Sequence, residues 1–126
     1  MNESICAFTG HRPTKLPWKY DSASPQLAAF RETMTAQISG LAERGIVNFF
    51  SGMAEGTDVI CSEIVLALRE KNPAIKLHCA LPFVGQADKW AASSRERYHA
   101  ILAEADSVIY VSRKYYKNCY HYVYYI

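Results

Sequence analysis

Eight consecutive residues, Ser51-Gly52-Met53-Ala54-Glu55-Gly56-Thr57-Asp58, carry more chemistry per position than any other stretch of this chain. They follow the apolar residues Phe49 and Phe50 and precede an amphipathic pattern, which predicts a strand, a tight glycine turn and a helix start. Glycine lets the main chain bend sharply and lets a ligand approach it closely. The first N–H groups of a helix have no partner within it. An anion, most often a phosphate, satisfies them. The expected chemistry is binding of a phosphorylated small molecule by Ser51, Gly52, Met53, Ala54, Gly56 and Asp58, with the amides exposed by the bend at Gly52 as the seat of negative charge.

A second set, Gly10-His11-Arg12, adds side chains to the same site. Arginine offers a rigid fork for phosphate oxygens, although a His-Arg pair in a loop is commonly just solvated. Gly56 is equally suited to helix–strand packing. Asp58 suits a helix start or a contact to a ribose or polar ring. Glu55 favours the helix dipole but repels a nearby phosphate, so it is expected to face solvent. Trp18 and Tyr20 either stack on a base or fill gaps in the core. Trp90 and Tyr98 are expected in the core, on one face of a third helix, with Arg97 beside them facing the crevice. Glu63 falls roughly opposite Asp58 on the second helix, so the two form no catalytic carboxylate pair. His11, His78, His99 and His121 lack metal-ligand spacing, and Cys6, Cys61, Cys79 and Cys119 form no C-x-x-C pair. No metal or cofactor is expected, and the thiols are read as core residues in a reducing cytoplasm. No P-loop, G-x-G-x-x-G after the first strand, G-x-S-x-G elbow or nucleophile–base set is present, so no catalytic residue is expected.

Alternating elements must position these residues. A continuous apolar run at 5–9 predicts a strand buried on both faces, and the stretches 46–50, 75–81 and 107–111 predict three more strands. Between them, Leu27, Phe30, Met34, Ile38 and Leu41 mark one amphipathic helix, with Pro25 near its start and Gly45 past its end. A second helix begins at Thr57 and ends before Asn72-Pro73; a third runs over 87–104. This order requires crossovers, a parallel sheet and the α/β class. Four loops, 10–15, 51–58, 82–88 and 112–116, meet at one sheet edge, where ligands sit at a reversal of strand order.

The 126 residues predict a single domain over 1–126 with a formal charge of +2. Near-neutrality argues against nucleic acid as a partner. No apolar run reaches the roughly 18 residues that span a bilayer, so no membrane partner is expected, and no signal peptide is seen. The cytoplasm is the expected compartment, and a homo-oligomer is compatible with these features. From Tyr115 on the chain is crowded with tyrosine and has no Gly or Pro. This end reads either as a short edge strand or as the point where the domain stops early; four strands make a thin sheet for this class, so the domain is expected to be shortened at its C-terminus.

Ser51-Gly52-x-Ala54-x-Gly56-x-Asp58 resembles the glycine motif of the DprA/Smf proteins. With Phe8-Thr9-Gly10-His11-Arg12-Pro13, Trp90, Arg97-Tyr98, Ala105-Asp106, Ser112 and Tyr115-Tyr116, the chain resembles the YpsA-like family of the SLOG superfamily from about Ile5 to Cys119. The resemblance implies a Rossmann-like, doubly wound parallel sheet and a nucleotide or nucleotide-derived ligand, ADP-ribose-like or nucleoside-phosphate-like, held by a sensor or regulatory module. It also implies a later Gly-Gly-Thr turn, which this sequence lacks. Two alternatives come with the superfamily. One is a Lonely Guy-type nucleotide N-glycosidic hydrolase, whose Pro-Gly-Gly-x-Gly-Thr-x-x-Glu segment is missing here. The other is DprA-type single-stranded DNA binding, for which Arg12, Lys15 and Lys19 offer only a small cationic patch.

Overall fold

The computed structural model of the chain describes residues 4–113. The expected shortening concerns the tyrosine-rich segment and lies outside the described residues. Four strands, β1 (Ile5–Ala7), β2 (Asn48–Ser51), β3 (Lys76–Phe83) and β4 (Ser107–Ser112), alternate with three helices, α1 (Pro25–Glu43), α2 (Thr57–Lys71) and α3 (Ala92–Glu104). All strand pairs are parallel, and the sheet order is β1-β2-β3-β4. This is an α/β, Rossmann-like arrangement. Among the described residues the strand order does not reverse, so the expected ligand position at a reversal has no counterpart there.

Three crossovers that advance in one direction and share the usual right hand place all three helices on one face of the sheet. Accordingly α2 packs between α1 and α3. The face beneath them holds Phe49, Leu77, Cys79 and Leu81, all fully buried. Phe49, Leu77 and Leu81 each contribute about 1.5–3 kcal/mol through burial. Phe8 continues this face, its ring stacked on Phe49 with centroids 6.0 Å apart. The opposite face carries Ile5, Ala7, Phe50 and Ile109, and Ile5 and Ile109 are about half exposed (49% and 55%). The sequence expectation of a first strand buried on both faces is therefore corrected: among the described residues β1 is an edge strand with Ile5 and Ala7 exposed, and Cys6, on its helix side, is only half-buried.

Local chemistry sets the element ends. Ser24 Oγ accepts from the Gln26 N–H (3.2 Å) and Pro25 opens α1; Gly45, with φ +91°, follows its end. β3 runs through Pro82, which was expected to close it. β2 has already ended at Ser51, opposite Cys79, so the missing N–H of Pro82 falls where β3 has lost that neighbour. The third helix starts at Ala92 rather than near 87. Residues 85–90 form turns instead, with Asp88 N–H bonded to Gly85 O and Trp90 N–H to Ala87 O, and Gly85 at φ +84°. Trp90 thus precedes the helix but still meets Tyr98 edge-on at 5.2 Å.

Candidate functional site

The two glycine-containing segments meet directly at the start of α2. Thr57 donates both its main-chain N–H (3.2 Å) and its hydroxyl (3.0 Å) to the His11 carbonyl. Glycine permits this approach at both contact points. A Cβ at Gly10 falls 2.5–2.7 Å from the Thr57 side chain, and one at Gly56 falls 2.7 Å from His11 O. Gly56 also has φ +101°, a conformation that side-chain-bearing residues rarely adopt. The structure therefore brings Gly10, His11 and Arg12 together with Gly56, Thr57 and Asp58, as the sequence expects.

Within the turn, the protein supplies its own acceptors. The Met53 N–H bonds to Ser51 Oγ at 3.1 Å, and the Ala54 N–H to Asp58 Oδ2 at 3.3 Å. Ser51 and Ser62 hydroxyls both donate to the Asp58 main-chain carbonyl, at 3.4 and 2.7 Å. Ser51, Gly52, Met53, Ala54, Gly56 and Asp58 are all buried. Burial pushes the Asp58 carboxyl up to about 7, against the Ala54 N–H and the Arg12 charge, which pull it down. Gln86, buried in the loop after β3, donates to Gly52 O (3.3 Å) and accepts from the Tyr98 hydroxyl (3.3 Å). The bend at Gly52 is thus braced from three sides. His11 and Arg12 remain exposed at its rim.

Beside this closed turn lies an open cavity of about 540 Å³. Its walls come from the loops after β1, β2 and β3 and from the facing sides of the three helices. Trp18, Tyr20 and Trp90 supply aromatic surface; Lys19, Arg31 and Arg97 supply cations; Ser22, Ser93 and Ser94 supply hydroxyls. Gly56 and Pro13 form the border shared with the turn. Glu55, expected to face solvent, lines the cavity instead. Trp18 fills the core, one of the two roles weighed for it: it is buried and packs on Phe30 at 5.1 Å, with one side lining the cavity. Lys19 has φ +48° and Met53 φ +59°, the two side-chain-bearing residues in the left-handed region among the described residues. Both sit in these loops, where such strain commonly accompanies function.

Behind the cavity wall, Glu63 of α2 holds one arginine from each neighbouring helix. Arg97 forks onto it (Nε to Oε2 3.0 Å, Nη2 to Oε1 2.6 Å), and Arg31 Nη2 reaches Oε1 at 3.0 Å. Burial raises the Glu63 pKa, but the two guanidinium groups outweigh it and hold the carboxyl below its ordinary range. Glu63 and Asp58 serve separate partners.

A different polar chain crosses the sheet face that carries Phe50 and Ile109. His78 Nε2 meets Asn48 Oδ1 at 2.8 Å, and His78 Nδ1 meets Ser107 Oγ at 2.7 Å. The order resembles an orienter, a base and a hydroxyl nucleophile, but the cavity described above lies elsewhere, and the His78 ring stacks on Phe50 at 4.7 Å. Its effect is to tie β2, β3 and β4 together. The buried thiols Cys61 and Cys79 are pushed up to about 12, which leaves them protonated and unreactive at neutral pH.

Sequence inspection singled out Trp18, Lys19, Tyr20 and Arg97 but missed Arg31, Gln86, Ser93, Ser94 and the pairing of Glu63. Arg31 follows Leu27 by one turn on the core-facing side of α1, a spacing that could have marked it as facing inward. Gln86 carries no such signal.

The model of the YspA SLOG family matches residues 6–125 of the chain. A UPF0398 protein of Bacillus pumilus is 31% identical over 115 residues, covering 90% of this chain and 61% of that protein. A UPF0398 protein of Bacillus velezensis is 29% identical over 103 residues, covering 81% and 56%. One from Halalkalibacterium halodurans is 31% identical over 88 residues, covering 70% and 47%. The chain therefore spans less than two thirds of the length of these curated relatives.

Proposed function

The chain belongs to the YspA SLOG family, and from that premise we propose that it binds a nucleotide or nucleotide-derived ligand, ADP-ribose-like or nucleoside-phosphate-like, as a sensor or regulatory module. The observation that carries this is the cavity at the carboxyl edge of the sheet. Its volume of about 540 Å³ suits a ligand of that size. Its wall pairs the surfaces that such a ligand needs: aromatic rings for a base, and cations for a phosphate. Arg12 extends the cationic surface, and His11 adds an imidazole, along the rim shared through Gly56. The compartment that goes with this ligand class and with the free thiols is the cytoplasm. No helix among the described residues is long and apolar enough to cross a membrane.

Neither alternative function gains support from the geometry. The carboxylates of Asp58 and Glu63 are committed to partners inside the fold, which leaves Asp21 and Glu55 as the acids that line the cavity. The cavity mixes acidic Asp21 and Glu55 with its cations, which suits a small ligand better than a DNA strand.

The test is a thermal-shift panel of nucleoside monophosphates, nucleoside diphosphates and ADP-ribose on this chain. A ligand at 100 times its Kd stabilises the fold by about 2.7 kcal/mol, which raises Tm by roughly 10 °C for a domain of this size. Tyr20→Ala, at an exposed cavity residue, removes most of the shift while leaving the ligand-free Tm in place. No shift from any member contradicts the proposal.

A further inference from the structure

Resting on that cavity, the geometry assigns the phosphate. We propose that Arg97 and Arg31 bind the phosphate monoester of the ligand, and that Glu63, shared between them, is the positioning residue that fixes both guanidinium groups at the cavity wall. The site then discriminates phosphorylated from unphosphorylated nucleosides.

Three observations support this. First, the amides expected to seat an anion at the Gly52 bend are answered from within at Met53 and Ala54, by Ser51 Oγ and the Asp58 carboxylate. Second, the Glu63 carboxylate faces two guanidinium groups, while Glu55, which also lines the cavity, sets a second negative charge near Arg97, so an anion is held there by directed donors rather than by net charge. Both arginines line the cavity, and their side chains are 39% and 45% exposed, whereas Glu63 is more enclosed at 27%. Third, the contacts leave donors over. Arg97 uses Nε and Nη2 on Glu63, and Arg31 uses Nη2. Among the described residues, Arg97 Nη1 and Arg31 Nε and Nη1 have no hydrogen-bond acceptor. A guanidinium anchored on one edge and open on the other is pre-organised for a second oxyanion, which lowers the ordering cost of binding. The anchors come from three helices, so the arrangement is held by the core rather than by a loop.

The experiment compares adenosine, guanosine, cytidine and uridine with their 5′-monophosphates by isothermal titration on the whole chain. The wild type is expected to bind at least one monophosphate some 30-fold or more tighter than its nucleoside. Arg97→Ala brings that ratio below about threefold while nucleoside affinity changes little. Arg97→Lys keeps a charge but loses the fork, and gives an intermediate ratio. Glu63→Gln lowers the ratio about tenfold without touching nucleoside binding, a selective loss that a merely structural role does not produce. Far-ultraviolet circular dichroism checks folding, and Arg31→Ala serves if Arg97→Ala does not fold. A ratio unchanged in a folded Arg97→Ala variant overturns the phosphate assignment but leaves the nucleotide-binding proposal standing. Nucleosides bound with no phosphate preference in the wild type do the same. Failure of every nucleoside and nucleotide to bind overturns both.

Discussion

Two neighbouring regions share Gly56 as a border and differ in how their polar groups are used. In the β2–α2 turn, Met53 and Ala54 N–H, the Asp58 carboxylate and the Gly52 carbonyl all have partners inside the protein. In the cavity alongside, arginines are tied down on one edge and open on the other. The first region holds the chain in place; the second has capacity left for a ligand. The glycine-rich segment at the start of α2 thus has its polar groups turned inward, and the neighbouring loops and helices supply the donors that remain open.

The sharpest way to break this contrast is at Gly56. Replacing it with Ala forces φ +101° on a side chain and drives a Cβ to 2.7 Å from His11 O and 3.0 Å from Pro13 Cδ. Strain and overlap together cost about 3 kcal/mol, read as a lower urea midpoint. Tyr20→Ala, on the cavity side and 63% exposed, shifts that midpoint by less than about 0.5 kcal/mol.

Titration separates the regions next. The folded Asp58 carboxyl sits at about 7, above its ordinary 3.8, so its stabilising contribution is full below pH 4 and is lost as pH rises through 7. Between those values wild-type stability falls relative to Asp58→Asn by about 1.4 kcal/mol per pH unit. Asparagine keeps an oxygen for the Ala54 N–H and does not titrate. Parallel pH profiles for the two proteins would show that the turn is not closed over this carboxyl. Ser51→Ala, which leaves the buried Met53 N–H without its acceptor, costs about 1–2 kcal/mol. The ion pair at the cavity wall contributes less than these buried groups. Arg97→Ala breaks an ion pair with side chains 45% and 27% exposed and lowers stability by no more than about 1 kcal/mol.

Much of the framework was legible in the sequence, because apolar periodicity follows directly from burial. The α1 stripe of Leu27, Phe30, Met34, Ile38 and Leu41 and the runs at β2 and β3 fall where they were expected. The meeting of Gly10 with Thr57 and of Gly56 with His11 was also foreshadowed, since both segments follow strands and both contain glycine. Three things were hidden. A continuous apolar run does not say whether both faces of its strand are covered, so the half-exposed Ile5 of β1 went unread. Turn geometry around Gly85 delays α3 although the residues there are compatible with helix. Partner choice among polar groups is tertiary: nothing in the order of residues says that Asp58 answers Ala54, that Gln86 braces Gly52, or that Glu63 collects Arg31 and Arg97.

The two tryptophans of the chain, Trp18 and Trp90, both line the cavity, so their indole N–H signals report on it without any labelling chemistry. Two-dimensional ¹⁵N NMR during titration with nucleoside monophosphates and ADP-ribose is the most direct measurement. Ligand in the cavity shifts both indole signals, while the Met53 and Ala54 amides, already bonded within the protein, move little. Shifts at Met53 and Ala54 with both indoles unmoved would place the ligand at the glycine bend and contradict the cavity as its site.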